Sequence, residues 1–246
     1  MDNPAAPPNT PPRKMAEELA GQIESLIMAE RWPEGKILGS ETDLIERFGV
    51  SRAVFREAVR LVEHHGAARM RRGPKGGLLV TAPQVSAVIR PTTLYLDYAD
   101  VPTSDLIAAR TALELNSVAA VAERMDDDAA ERLRSALAIE QDAGAHGAQM
   151  GTAHDFHVLL AELSGNAALR LFIETLASLT FERTRHLPFD EEQMAESTRA
   201  HGMIVDAVIS GDSPRAQYLM RRHLGAALAG YTRRGVDEPQ NRAAAD

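Results

Sequence analysis

The 246-residue chain contains no cysteine, which excludes a disulfide framework, a thiolate metal site and a cysteine nucleophile. Histidines and carboxylates are left for any metal. No run of about 18 or more uncharged apolar residues occurs, so no segment reads as a membrane-spanning helix. The opening MDNPAAPPNTPP has no basic start followed by an apolar stretch, and the expectation is a protein without a signal peptide, soluble and cytoplasmic. There is no fixed-period repeat, and no His-Glu-x-x-His motif of the metalloprotease type. What is present, 25% charged and 44% hydrophobic residues, is enough for one large domain or two of ordinary size, and excludes disorder as the main state.

The net charge of -8 argues at first against a nucleic-acid partner, but the charges are unevenly placed. Between residues 47 and 80 stand eight basic groups (Arg47, Arg52, Arg56, Arg60, Arg69, Arg71, Arg72, Lys75) against two acids, Glu57 and Glu63. Residues 83–246 hold 15 arginines, no lysine and 24 acidic residues. A small basic binding module joined to a larger acidic body is the pattern this asymmetry describes.

Residues 1–12 include five prolines and read as a disordered tail. From Lys14 to Arg31, Met15, Leu19, Ile23, Leu26 and Ile27 recur at helical spacing, and Trp32-Pro33-Glu34-Gly35 ends the helix. Ser40 with Asp43 forms a capping-box pattern for a short helix from Glu41 to Phe48, closed by Gly49. Ser51 caps a third helix with Val54, Ala58, Leu61 and Val62 as its apolar stripe and Gly66 as terminator. A hairpin follows, with strands at Ala67 to Met70 and Leu78 to Val80 and a basic glycine-rich tip. Beyond Pro83 helices are expected at 84–99, 103–124, 128–142, 152–163, 167–186, 190–210 and 213–234. The fold class is therefore mostly α: a winged helix-turn-helix over 13–82, a linker helix over 83–100, a helical domain over 101–234 and a flexible tail over 235–246.

On the third helix Arg52 and Arg56 are four apart and share one face. An arginine near the N-terminus of a groove-bound helix can bond both O6 and N7 of guanine, worth roughly 1–3 kcal/mol of discrimination, so both are assigned to base reading. The alternative for Arg56 is a carboxylate partner on its own domain. Glu57, an acid within a basic helix, reads as an intramolecular partner. In the hairpin, Gly76 and Gly77 would let the backbone approach DNA while Arg71, Arg72 and Lys75 supply counter-charge. Ser40, Arg47 and Ser51 are candidate phosphate contacts.

These residues closely resemble the DNA-binding domain of GntR-type transcription regulators: Gly35 and Leu38, Ser40-Glu41 with Leu44, Phe48-Gly49-Val50-Ser51-Arg52, Arg56-Glu57-Ala58 with Leu61, and Gly66. Gly39 departs from the family's usual proline. The remainder resembles the FadR-like branch, with its C-terminal FCD effector-binding and dimerisation domain, an antiparallel helical bundle. The supporting pieces are Arg110 with Leu113-Glu114, Phe156-His157, Ser164-Gly165-Asn166, His201 with Ile204 and Ala207, Gly211-Asp212, and Arg221-Arg222-His223-Leu224. The resemblance implies a regulator rather than an enzyme: a repressor that binds a pseudo-palindromic operator as a homodimer.

It also implies a divalent metal held by an Asp-x-x-x-His pair and two further histidines, which map onto His157, His201 and His223. The aspartate's place is taken by Ala153. His154, about 60° from His157 around the helix, is a possible substitute, whereas Asp155 should point away. Three imidazoles suit Zn²⁺ or Ni²⁺. Arg110 is the expected holder of an effector carboxylate, with a salt bridge to Glu114 as its alternative, and Asn166 is either an effector contact or a cap. His64, His65, His146 and His186 read as packed or surface residues. The effector is a small organic acid if metal is bound and a fatty acyl-CoA if it is not; a metal-dependent hydrolase is the rival from another class.

Overall fold

The computed structural model describes residues 12–73, 75–145, 149–185, 187 and 191–234. The expected tails at 1–12 and 235–246 lie outside these residues except for Pro12, as do Pro74, His146 and His186. Contacts divide the chain into two compact units, Met1–Ala87 and Val88–Asp246.

In the first unit, α1 (Pro12–Ala29) opens on a proline, whose missing N–H is no loss at the first helical position. It buries Ala16, Leu19, Ala20, Ile23 and Ile27, a stripe at helical spacing. α2 (Glu41–Phe48) begins with the full capping box: the Ser40 hydroxyl accepts from the Asp43 N–H, and the Asp43 carboxylate accepts from the Ser40 N–H. It ends on Gly49 at φ 64°, a left-handed conformation that glycine adopts without steric cost. α3 (Arg52–His64), capped by Ser51, packs along α1. Its buried face is Val54, Phe55, Ala58, Val59 and Val62, with Leu61 only partly covered. Each large apolar side chain so enclosed contributes about 1.5–3 kcal/mol.

β1 (Ala68–Arg71) and β2 (Gly77–Val80) form an antiparallel hairpin in which Ala68 faces Val80 and Arg71 faces Gly77. Residues 35–39 extend this sheet along its other edge, an extension the sequence did not announce. Leu38 N–H donates to Leu78 O at 2.9 Å, Leu78 N–H to Gly39 O at 2.9 Å, and Val80 N–H to Lys36 O at 2.9 Å. The Trp32 indole N–H donates to Thr81 O at 2.8 Å and anchors the turn after α1 against the wing.

The second unit is helical throughout its described residues: α4 (Ser86–Tyr98), α5 (Thr103–Glu123), α6 (Asp127–Ala145), α7 (Gln149–Leu163), α8 (Ala167–Thr184), α9 (Glu191–Ile209) and α10 (Ser213–Arg233). The breaks between helices have local causes: Pro102 precedes α5, Gly165 takes φ 70° between α7 and α8, and Gly211 takes φ 72° before Asp212 caps α10. α5 is the central helix, packed along α10 and α8 and touching α7 and α9. Val118, Leu133, Phe156, Leu160, Ile204, Val208 and Met220 close the core around it. No residue of α4 is buried; Arg183 of α8 holds its end through Asp97 at 3.0 Å and Val101 O at 2.6 Å. Among the described residues, no helix is long and apolar enough to cross a membrane.

Candidate nucleic-acid interface and metal centre

The turn Gly49-Val50-Ser51 sets the start of α3 close behind α2. The Ser51 hydroxyl accepts from Val54 N–H at 3.3 Å, and the first turn of α3 holds no acid, so positive charge gathers there. Arg52 and Arg56 are both exposed on this helix. Arg56 has no carboxylate within ion-pair distance among the described residues; the carboxylate neighbour belongs to Arg52, whose Nε lies 3.7 Å from Glu41 Oε1. Both side chains of that pair are solvated, and such a contact contributes little. Glu57 pairs with Arg60 at 3.0 Å, the intramolecular partner its place in a basic helix implies. Arg47 is exposed, its guanidinium 5.6 Å from the Phe48 ring centroid. The Ser40 and Ser51 hydroxyl oxygens are both engaged in capping.

The wing residues also have roles inside the hairpin. A Cβ on Gly77 would stand 2.3 Å from Gly39 O, and one on Gly76 2.3 Å from Arg71 O. Both positions thus exclude a side chain because of packing inside the hairpin. Arg71 is likewise committed in part, donating from Nη2 to Lys75 O at 2.7 Å and closing the tip. Arg72 and Lys75 are exposed.

In the helical unit, three histidines from three helices converge: His157 of α7, His201 of α9 and His223 of α10. Nε2 of His201 lies 3.1 Å from Nε2 of His223, which lies 3.3 Å from Nε2 of His157. Their three potential ligand atoms fall within 4.8 Å of one another. His157 and His201 are buried, and Phe156 stacks on the His201 ring with centroids 4.0 Å apart.

What surrounds the rings decides which nitrogen faces inward. The Glu114 carboxylate of α5 accepts at His157 Nδ1, 2.5 Å away, and also binds Arg110 Nε. The Glu140 carboxylate of α6 meets His201 Nδ1 at 2.7 and 3.0 Å and accepts from the Thr198 hydroxyl at 2.9 Å. An imidazole that donates from Nδ1 carries its lone pair on Nε2, so both carboxylates turn a ligating atom toward the centre.

The ionisation states agree with this assignment. Burial pushes His157 down to about 4, against the upward pull of Glu114, and burial with the neighbouring His201, His157 and Arg110 drives His223 well below the ordinary value. Burial alone would raise Glu114, but the charges and hydrogen bonds of Arg110 and His157 outweigh it and hold the carboxyl at about 2. His157 and His223 are therefore neutral near pH 7, the form that binds metal.

Ligand nitrogens about 2.0–2.1 Å from a zinc-like ion stand about 2.8–3.4 Å apart in octahedral or tetrahedral sites. The His201–His223 and His157–His223 edges match that spacing, so this donor set fits a first-row divalent ion.

His157, His223 and Arg110 also line a cavity of about 1020 Å³ whose other walls include Ile107, Thr180 and Phe181. Arg110 therefore has both roles weighed for it in reach: its Nε is paired with Glu114, and its side chain borders the cavity. Asn166 does not border it. Its Oδ1 accepts from Ala168 N–H at 3.0 Å and Leu169 N–H at 3.2 Å as the N-cap of α8, the second of the two roles weighed for it. The His154 side chain lies outside the described residues. Glu140 and Thr198 escaped sequence reasoning, because Glu140 meets Thr198 and His201 only when α6 packs against α9.

Residues 15–76 match the model of bacterial regulatory proteins of the gntR family, and residues 105–226 match the FCD domain. The chain belongs to the GntR-type transcription regulators that carry an FCD domain, a class of DNA-binding regulators and not of enzymes. Among curated proteins it is similar to the HTH-type transcriptional repressor NanR of Cronobacter sakazakii, at 27% identity over 88% of this chain and 85% of the relative. It is similar, also at 27% identity, to the putative L-lactate dehydrogenase operon regulatory protein of Escherichia coli, over 94% of this chain and 91% of the relative. The solved structure of Streptococcus agalactiae GntR shares the fold, with a TM-score of 0.66 and 24% identity over 87% of this chain and 99% of that one.

Proposed function

We propose that this protein is a ligand-controlled repressor that binds a pseudo-palindromic operator as a homodimer in the cytoplasm. Its effector is a small organic acid, bound beside a divalent ion, Zn²⁺ or Ni²⁺, at His157, His201 and His223. The observation that carries the effector half is the convergence of three Nε2 atoms, two of whose rings, His157 and His223, line one cavity together with Arg110. A carboxylate there would meet a guanidinium and the open side of a Lewis acid at once. When bound, the ion supplies positive charge and exchangeable coordination positions. Buried imidazoles and a buried Arg110–Glu114 pair on the cavity favour a compact polar ligand over the acyl chain of an acyl-CoA. The names of the relatives, a transcriptional repressor and a putative L-lactate dehydrogenase operon regulatory protein, point the same way.

For the DNA half, Arg52 and Arg56 read bases from α3, while Ser40, Arg47, Ser51, Arg72 and Lys75 hold phosphates, with Arg71 shaping the wing tip. Operator release requires the effector to bind the DNA-free arrangement of the dimer more tightly than the DNA-competent one; equal affinity would move nothing. The test is fluorescence anisotropy with duplexes from the gene's own upstream region. The wild type should select one pseudo-palindromic fragment, and a screen of organic acids with Zn²⁺ present should find one that releases it. Arg52→Ala should lose preference by about 1–3 kcal/mol per half-site as well as affinity. Unchanged preference in Arg52→Ala would overturn the assignment of α3, and release by acyl-CoA alone would overturn the organic acid.

A further inference from the structure

The two carboxylates behind the histidine cluster are not equivalent. Glu114 is balanced by Arg110, so that pair adds little net charge to the site. Glu140 is 0% exposed, and its partners are the Thr198 hydroxyl and His201 Nδ1. No lysine or arginine among the described residues lies within ion-pair distance of it. Burying a carboxylate without a full counter-charge is costly, and such an anion persists where something else at the site compensates it.

The compensation is one ring away. The hydrogen bond at Nδ1 turns His201 so that Nε2 faces Nε2 of His223 at 3.1 Å. Among the described residues, the cluster brought together there contains three imidazoles and no carboxylate ligand.

From this juxtaposition we infer that Glu140 is the positioning residue of the metal site. It orients His201 and supplies, from the outer side of the ring, the negative charge that the ligand set itself lacks. The inference rests on the metal reading of the three histidines. Its consequence for specificity is that the site prefers a dication, whose charge Glu140 offsets, over a neutral occupant such as water.

The test is a titration of the full chain, stripped of metal, with Co²⁺ and with Zn²⁺ against a competing chelator, reading affinity and the visible Co²⁺ absorption bands. Glu140→Gln keeps the shape and an acceptor for His201 Nδ1 but removes the charge. Its dissociation constant for both ions should rise about 10- to 100-fold, while the Co²⁺ band positions stay those of a three-imidazole site. The metal-free variant should melt at or above the wild-type temperature, since an uncompensated buried charge has gone; a merely structural role predicts the opposite. Glu140→Asp keeps the charge but withdraws it by one methylene, and should weaken binding by less than Gln does and by at least about threefold. Unchanged affinity in either variant that folds overturns the role of Glu140 and leaves the metal site standing. A wild type that binds neither ion overturns both readings.

Discussion

His157 shows how burial sets the chemistry of a single residue. Its folded value, about 4, lies below the ordinary 6.5, so between those limits the unfolded chain takes up a proton that the folded chain refuses. Stability from this group is complete above pH 6.5 and is lost as the pH falls toward 4. Glu114, lowered from 4.5 to about 2, adds a second loss only below pH 4.5. The metal-free helical unit should therefore lose at least about 2.5 kcal/mol between pH 7 and pH 4.5, His223 adding to the loss in the same direction, visible as a falling melting temperature in scanning calorimetry. A flat profile over that window would mean that His157 is charged in the fold. On the other unit, Arg72 sits at the wing with no sequence to read. Arg72→Ala should weaken all duplexes alike and reduce the slope of log affinity against log salt by about one, in contrast to Arg52→Ala. Of these residues, the arginines and the histidine trio were visible in the sequence, the first through charge and helical spacing and the second through resemblance. Glu140 was not, because 61 residues separate it from His201 and nothing local marks it.

At the level of elements, the caps carry the prediction of helices furthest. Ser40 with Asp43, Gly49 and Ser51 fix α2 and α3 to the residue, since each satisfies a backbone group that would otherwise be left without a partner. α7 was read as starting at residue 152, whereas its described residues run from Gln149, in a stretch of small residues whose sequence marks no sharp boundary. The edge formed by residues 35–39 was missed for a different reason: its pairing with β2 is long-range, and Gly77 looked like a hairpin-tip glycine. Its real constraint is Gly39 O, 2.3 Å from where a Cβ would be, together with φ 152°. Gly77→Ala should destabilise the first unit by more than about 1 kcal/mol, against roughly that amount for loss of the Ser51 cap in Ser51→Ala. Chemical denaturation followed through Trp32 fluorescence reports on this unit, because the single tryptophan of the chain is bonded to Thr81 beside the wing. If Gly77→Ala unfolds at the wild-type midpoint, the close approach to Gly39 is not a constraint.

For the whole molecule, the division of labour follows from two cores that share no residue: one built on α1, α3 and the wing, the other on α5, α7, α9 and α10. Each has enough enclosed side chains to unfold as its own cooperative unit, so a single two-state transition is not the expectation. All three candidate ligands lie in the second unit, and an ion that binds the folded site but not the unfolded chain stabilises only the unit that contains it. With free Zn²⁺ at about 100 times its dissociation constant, that stabilisation amounts to about 2.7 kcal/mol. Calorimetry of chelator-treated protein should accordingly resolve two transitions. Adding Zn²⁺ should raise the one that is silent in Trp32 fluorescence and leave the tryptophan-reporting one in place, and His223→Ala should abolish the shift. If Zn²⁺ moves both transitions together, the units melt as one body, and metal occupancy is then thermodynamically linked to the DNA-binding unit even without an effector.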